Sequence, residues 1–121
     1  MDEKFCARCG RRMTPRKQWA ETWDSVRYCS KVCRTLRLRP IDHALEKAML
    51  ELLNQRGRGK SLCPSEVARS VGGEGWRDLM ESSRMAARRL VAREVAVVTQ
   101  GNQPVDCSTA KGPIRVALTE R

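Results

Sequence analysis

The stretch Cys6-Ala7-Arg8-Cys9-Gly10 is answered, with nineteen residues between Cys9 and Cys29, by Cys29-Ser30-Lys31-Val32-Cys33. Two close thiol pairs at that separation are what a tetrahedral zinc site asks of a short chain. The first pair fits a tight knuckle in which the sulfurs turn inward and Gly10 relieves backbone crowding. The second pair, C-x3-C, is one helical turn apart, so both sulfurs can leave one face of a helix start. Knuckle, insertion and helix in that order describe a treble-clef-like or zinc-ribbon-like module. Zn²⁺ held by Cys6, Cys9, Cys29 and Cys33 brings roughly 10 kcal/mol or more to a segment poor in apolar side chains. With four thiolates filling the ligand positions none is left for a catalytic water, so the expectation is a structural centre and not an enzyme.

Two disulfides, or an iron centre, use the same pattern. The N-terminal run Met1-Asp2-Glu3-Lys4-Phe5 is charged and has no apolar stretch of the kind that directs secretion. A cytoplasmic location is therefore expected, and reducing surroundings favour metal over disulfide.

A length of 121 residues admits one domain or two very small ones. The chain carries 24 Lys and Arg against 14 Asp and Glu, a formal net charge of +10. Residues 1–40 hold 11 of the basic and only 4 of the acidic side chains, so the cysteine-bearing part is the more basic. No stretch has the length of apolar residues that crosses a membrane. Such a positive excess points to an anionic partner, nucleic acid first and an acidic protein second.

Between the cysteine pairs, Trp19, Trp23 and Val26 recur at helical spacing and form one short apolar face. That face is expected to pack beside the metal, since so small a module can hardly leave both rings outside. Stacking of the rings on bases is the alternative. Arg11, Arg12, Arg16 and Lys17 are candidate phosphate contacts. After Cys29, Ser30 can cap a helix running to about Arg39, with Lys31, Arg34, Arg37 and Arg39 exposed on it.

Pro40 marks the boundary between a zinc-binding module, 1–39, and a second domain, 40–121. Asp42 can cap a helix with Leu45, Ala48, Met49, Leu52 and Leu53 inward, ended by Gly57 and Gly59. Pro64 and Glu66 open a second helix with Val67, Ala68 and Val71 inside and Gly72-Gly73 behind it. A third helix is predicted from about Trp76 to Arg93, burying Leu79, Met80, Ala87 and Leu90. Residues 95–99 and 114–118 read as two strands around a long turn-rich loop that contains Lys111. Three helices and a β-hairpin in this order make a winged helix, giving a small α+β protein overall. The third helix would be the recognition helix. At 100° per residue Arg77, Arg84 and Arg88 share one side of it, with Asp78 and Glu81 close by. Asp106 and Arg115 are read as a salt bridge that fixes the wing.

Two thiols are left over. Cys63 lies at a helix start, the setting in which cysteines become reactive, so a thiol redox sensor is a third reading. Cys107 lies in the loop without an evident partner.

The motifs Cys6-x2-Cys9-Gly10-Arg11, Arg16-Lys17-x-Trp19-x3-Trp23-Asp24 and Tyr28-Cys29-Ser30-x2-Cys33-Arg34 resemble a small bacterial zinc-finger-like family of unknown function. Cys63-Pro64-Ser65-Glu66-Val67-Ala68-Arg69, Trp76-Arg77-x-Leu79-Met80, Val105-Asp106 and Gly112-Pro113-Ile114-Arg115 resemble a second domain of unknown function, winged-helix-like in form. The resemblance supports a two-part architecture and carries no activity. The expected function is nucleic-acid binding, with double-stranded DNA favoured. The alternative is an adaptor that binds protein through the same two units.

Overall fold

The computed structural model describes residues 3–119. Its N-terminal part starts with an antiparallel hairpin, β1 (Lys4–Phe5) and β2 (Arg12–Met13), with the Cys6–Cys9 knuckle at its turn. Cys6 N–H donates to Arg11 O at 2.8 Å and Gly10 N–H to Cys6 O at 3.0 Å, closing the knuckle, and Gly10 takes φ +77°. Two 3₁₀ turns follow, Lys17–Trp19 and Trp23–Ser25, in place of one short helix. They still bring the two indoles together, with centroids 5.8 Å apart. Trp23 is buried against Cys6, Cys9, Met13 and Cys33, so the expected apolar face packs beside the cysteines. Helix α1 (Lys31–Leu36) is capped by Ser30, whose hydroxyl accepts from Cys33 N–H at 3.2 Å. It ends before the expected Arg39 because Arg37 turns to φ +53°, a left-handed conformation that stops a helix.

Helix α2 (Pro40–Arg56) starts at Pro40, which sits at the first helical position where its missing N–H costs nothing. Asp42 lies inside the first turn and caps backwards: its carboxylate accepts from Arg39 N–H at 2.9 Å and from the Arg39 guanidinium. Strand β3 (Ser61–Leu62) leads into α3 (Pro64–Gly72), and a 3₁₀ segment (Gly73–Leu79) into α4 (Met80–Ala92). The third helix thus starts four residues later than its pattern predicts. Gly75 breaks the α geometry, so Arg77 does not share the α-helical side of Arg84 and Arg88. Strand β4 (Ala96–Gln100) turns at Gly101-Asn102, both at positive φ, into β5 (Gln103–Pro104), and β6 (Arg115–Leu118) closes the sheet in the order β3-β6-β4-β5. Two left-handed residues in a two-residue loop match the twist of the paired strands.

Leu45, Met49 and Leu53 of α2 lie at i, i+4 and i+8 and are fully buried with Leu62, Val67, Ala86, Ala87, Leu90, Val98 and Val116. This core draws only on residues beyond Pro40, whereas the N-terminal cluster borrows Met85 alone from across the boundary. The chain is therefore a small mixed α/β protein with two sheets and two apolar clusters. Among the described residues no helix is long and apolar enough to cross a membrane.

Candidate metal centre and basic groove

The knuckle and the start of α1 bring one sulfur from each of Cys6, Cys9, Cys29 and Cys33 within 4.8 Å of all the others. Cys9 Sγ lies 3.6 Å and Cys33 Sγ 3.7 Å from Cys29 Sγ. A disulfide needs about 2.05 Å, whereas the edge of a tetrahedron of thiolates around zinc is about 3.8 Å for Zn–S bonds of about 2.3 Å. The four cysteines can hold a metal ion, and the geometry suits a soft tetrahedral one. Cys9 N–H donates to Cys6 Sγ and Arg8 Nη1 to Cys33 Sγ, both at 3.5 Å, as charged sulfurs require. Packed this closely, the thiols cannot all ionise unaided. A hydrogen bond from Cys9 holds Cys6 down to about 4 against the effect of burial. Cys9 is pushed up by that same bond and by burial, and Cys29 first by burial. A dication held by Cys6, Cys9, Cys29 and Cys33 would supply the charge that favours all four thiolates.

Because the knuckle turns N–H groups toward sulfur, its carbonyls face outward and need donors. Helix α4 provides them. Arg88 Nη1 donates to Cys9 O at 3.2 Å and Arg89 Nη1 to Arg8 O at 2.6 Å. Arg89 also bonds Glu46 at 2.8 Å and Asp42 O at 3.1 Å, and Arg88 pairs with Glu81 at 2.9 Å. Both side chains are buried, at 3 % and 6 % exposure. Arg12 adds a second tie, pairing with Asp106 at 2.6 Å while its N–H donates to Ser108 Oγ at 2.8 Å.

The fold engages several of the expected nucleic-acid contacts within the chain. Arg88 is enclosed, with Nη1 on Cys9 O and Nη2 on Glu81, and does not face outward as a base reader would. Arg84 donates to Gly112 O and Ala110 O, bracing the loop before β6. Arg77 lies over the Trp76 ring at 4.7 Å, with Arg69 at 4.3 Å. Arg12 is held by Glu3 and Asp106. Asp106 therefore pairs with Arg12 and not Arg115, which bonds Ser61 instead. Arg11, Lys17 and Lys111 are exposed. Cys63 is half-buried at the N-cap of α3 and accepts from Ser65 Oγ at 3.1 Å, and Cys107 is buried.

The other four expected contacts converge. Arg16, Lys31, Arg34 and Arg37 line a groove of about 780 Å³ beside Cys29, together with Arg27, Trp19 and Tyr28. Among the described residues no acidic side chain lines it. Among the described residues these five cations enter no ion pair, while Arg39, Arg56, Arg88, Arg89 and Arg93 of the seam and of the C-terminal part all do. Arg27 escaped the sequence reading; its position two residues before Cys29 was the available signal.

Residues 1–36 match a family described as "Uncharacterized protein conserved in bacteria (DUF2256)". No curated protein matches the chain. Residues 42–119, more than half of the chain, match the family described as "Protein of unknown function (DUF3253)", and the chain belongs to that family, with the DUF2256 module in front of it.

Proposed function

We propose that this is a zinc-containing nucleic-acid-binding protein that grips the polynucleotide backbone through the groove of its N-terminal module. The observation that carries this is that, among the described residues, five cations outside any ion pair surround one concavity with no carboxylate in its lining. Like charges gathered in this way repel one another and are relieved when an anion chain enters. The zinc module, treble-clef-like in its hairpin, knuckle and helix, holds the groove in shape. The C-terminal part, whose helices and sheet follow winged-helix order, serves as the platform on which that module is seated. The role is binding and not catalysis, since a four-thiolate centre has no open coordination position.

The test is binding of the full-length protein to labelled random nucleic acid at about 50 and 200 mM salt. Five phosphate contacts on a single strand predict a fall of roughly 100-fold over that range. Arg34→Ala with Arg37→Ala is expected to flatten the slope of log affinity against log salt by between one and two units. Arg93→Ala, on α4's far end, is expected to leave it unchanged. Salt-independent binding, or a slope unmoved by the double change, excludes the groove.

A second reading, the protein-binding adaptor, is favoured by one observation. Val32 and Leu36, one turn apart on α1, are 61 % and 44 % exposed. If the groove fails its test, that apolar strip becomes the leading contact.

A further inference from the structure

Resting on the nucleic-acid reading of the groove, we propose that its ligand is an unpaired polynucleotide strand, one base of which stacks on Tyr28.

Reading a duplex directly needs an element that enters the major groove, which is about 12 Å wide. Helix α4 is not free to do so. Of its residues only Glu81 is exposed on the helix, its two central arginines are buried in the knuckle seam, and Arg84 is tied to the loop before β6. Helix α1 has six residues and forms one wall of the groove through Lys31 and Arg34, while its exposed Val32 and Leu36 are apolar and carry no donors for base edges. A single strand asks for something else, a cationic track with aromatic faces on which unstacked bases can lie.

The groove has both. Trp19 is already occupied, with Trp23 stacked at 5.8 Å and the Arg16 guanidinium 5.0 Å over its ring. Tyr28 is half-buried at the same concavity and, among the described residues, is in no ring pair, cation–π contact or hydrogen bond. Its body packs on the Trp23 and cysteine cluster, which fixes the ring's position and lowers the ordering cost of a stack. Arg27, Lys31 and Arg34 line the same groove and supply cations for the phosphates flanking a base lodged there. In a duplex every base face is already stacked, so Tyr28 would gain no partner.

The experiment is fluorescence anisotropy of full-length, zinc-loaded protein with labelled oligothymidylate, oligouridylate and a mixed duplex of equal length. At least one of the two strands is expected to bind ten-fold or more tighter than the duplex. The two strands together tell whether the sugar hydroxyl contributes. Tyr28→Phe is expected to match the native protein. Tyr28→Leu, which keeps apolar packing without a π face, is expected to lose about 5- to 150-fold in strand affinity with duplex affinity unchanged. Zinc content verifies that the variant has folded, and the strand-to-duplex ratio of the native protein decides the matter even if it has not. A duplex bound as tightly as both strands overturns the proposal, as does a folded Tyr28→Leu that binds strands normally. In either case a loss caused by Arg34→Ala still upholds the groove. No binding to any of the three ends both readings.

Discussion

At the residue scale the molecule turns on Gly10. A Cβ there would lie 2.4 Å from Arg88 Cβ and 2.7 Å from the Arg88 carbonyl carbon and the Arg89 nitrogen, on a backbone at φ +77°. Most of those atoms belong to the α4 backbone and cannot swing away. Gly10→Ala therefore has to separate the knuckle from α4 as well as meet the left-handed penalty of about 1–2 kcal/mol. The expected result is a melting temperature lower by several degrees with zinc still stoichiometric, measured by calorimetry and metal analysis. A melting temperature equal to that of the native protein would show that the knuckle is not seated on α4 in solution. Arg88 and Arg89 themselves were illegible as seam residues. Arginine is by default a surface side chain, and nothing in a linear pattern announces that two outward knuckle carbonyls need donors from a segment some eighty positions later.

At the element scale, α3 is fixed by its first turn. Glu66 accepts from Cys63 N–H at 2.7 Å and pairs with Arg56 at the end of α2, joining two helices through one carboxylate. The Arg56 guanidinium, with the Cys63 N–H, holds the Glu66 carboxyl down to about 2. A depressed folded value means stability that is present above the unfolded carboxyl value of about 4.3 and lost as pH falls toward 2. With both partners about one-third exposed, solvent screening leaves roughly 1 kcal/mol of it. Glu66→Gln is expected to cost about that much at pH 7 and progressively less as pH is lowered from 4 toward 2, read from urea midpoints of the two proteins. A constant difference across pH would assign the loss to packing. This turn was legible because Pro64 and Glu66 are both helix-start residues, and α2 was legible because Leu45, Met49 and Leu53 keep one period. The late start of α4 was not, since glycines at 72, 73 and 75 permit a 3₁₀ path that side-chain periodicity does not distinguish from a helix. Strands β3 and β5, two residues each, are too short to show any alternation.

For the whole molecule, the question is how two apolar clusters joined by an arginine seam respond to a chelator. The four cysteines were readable from spacing alone, and so was the burial of Trp23 beside them. What spacing did not reveal is that the module folds back on α4, so that the helix expected to face a ligand faces the knuckle instead. The N-terminal cluster contains three of the four gathered cysteines among its five buried residues, and little apolar surface holds it together if they repel one another. The core beyond Pro40 contains none of the four, and its helices close over each other without help from the knuckle. Chelation is therefore expected to unfold residues 3–36 and leave the rest folded. Helix α1 contributes 6 residues to the α-helix content and α2, α3 and α4 contribute 17, 9 and 13. Far-ultraviolet dichroism should then fall only slightly. Emission from Trp19 and Trp23 should shift red in a Trp76→Phe background, while Trp76 alone should change little. A truncated chain of residues 40–121 should likewise melt cooperatively, at a lower temperature than the full protein because Arg88 and Arg89 lose the two carbonyls that now receive them. If chelation instead abolished most of the helical signal, or the truncated chain showed no transition, the seam would be part of a single cooperative core. The boundary at Pro40 would then separate two sequence families without separating two folding units.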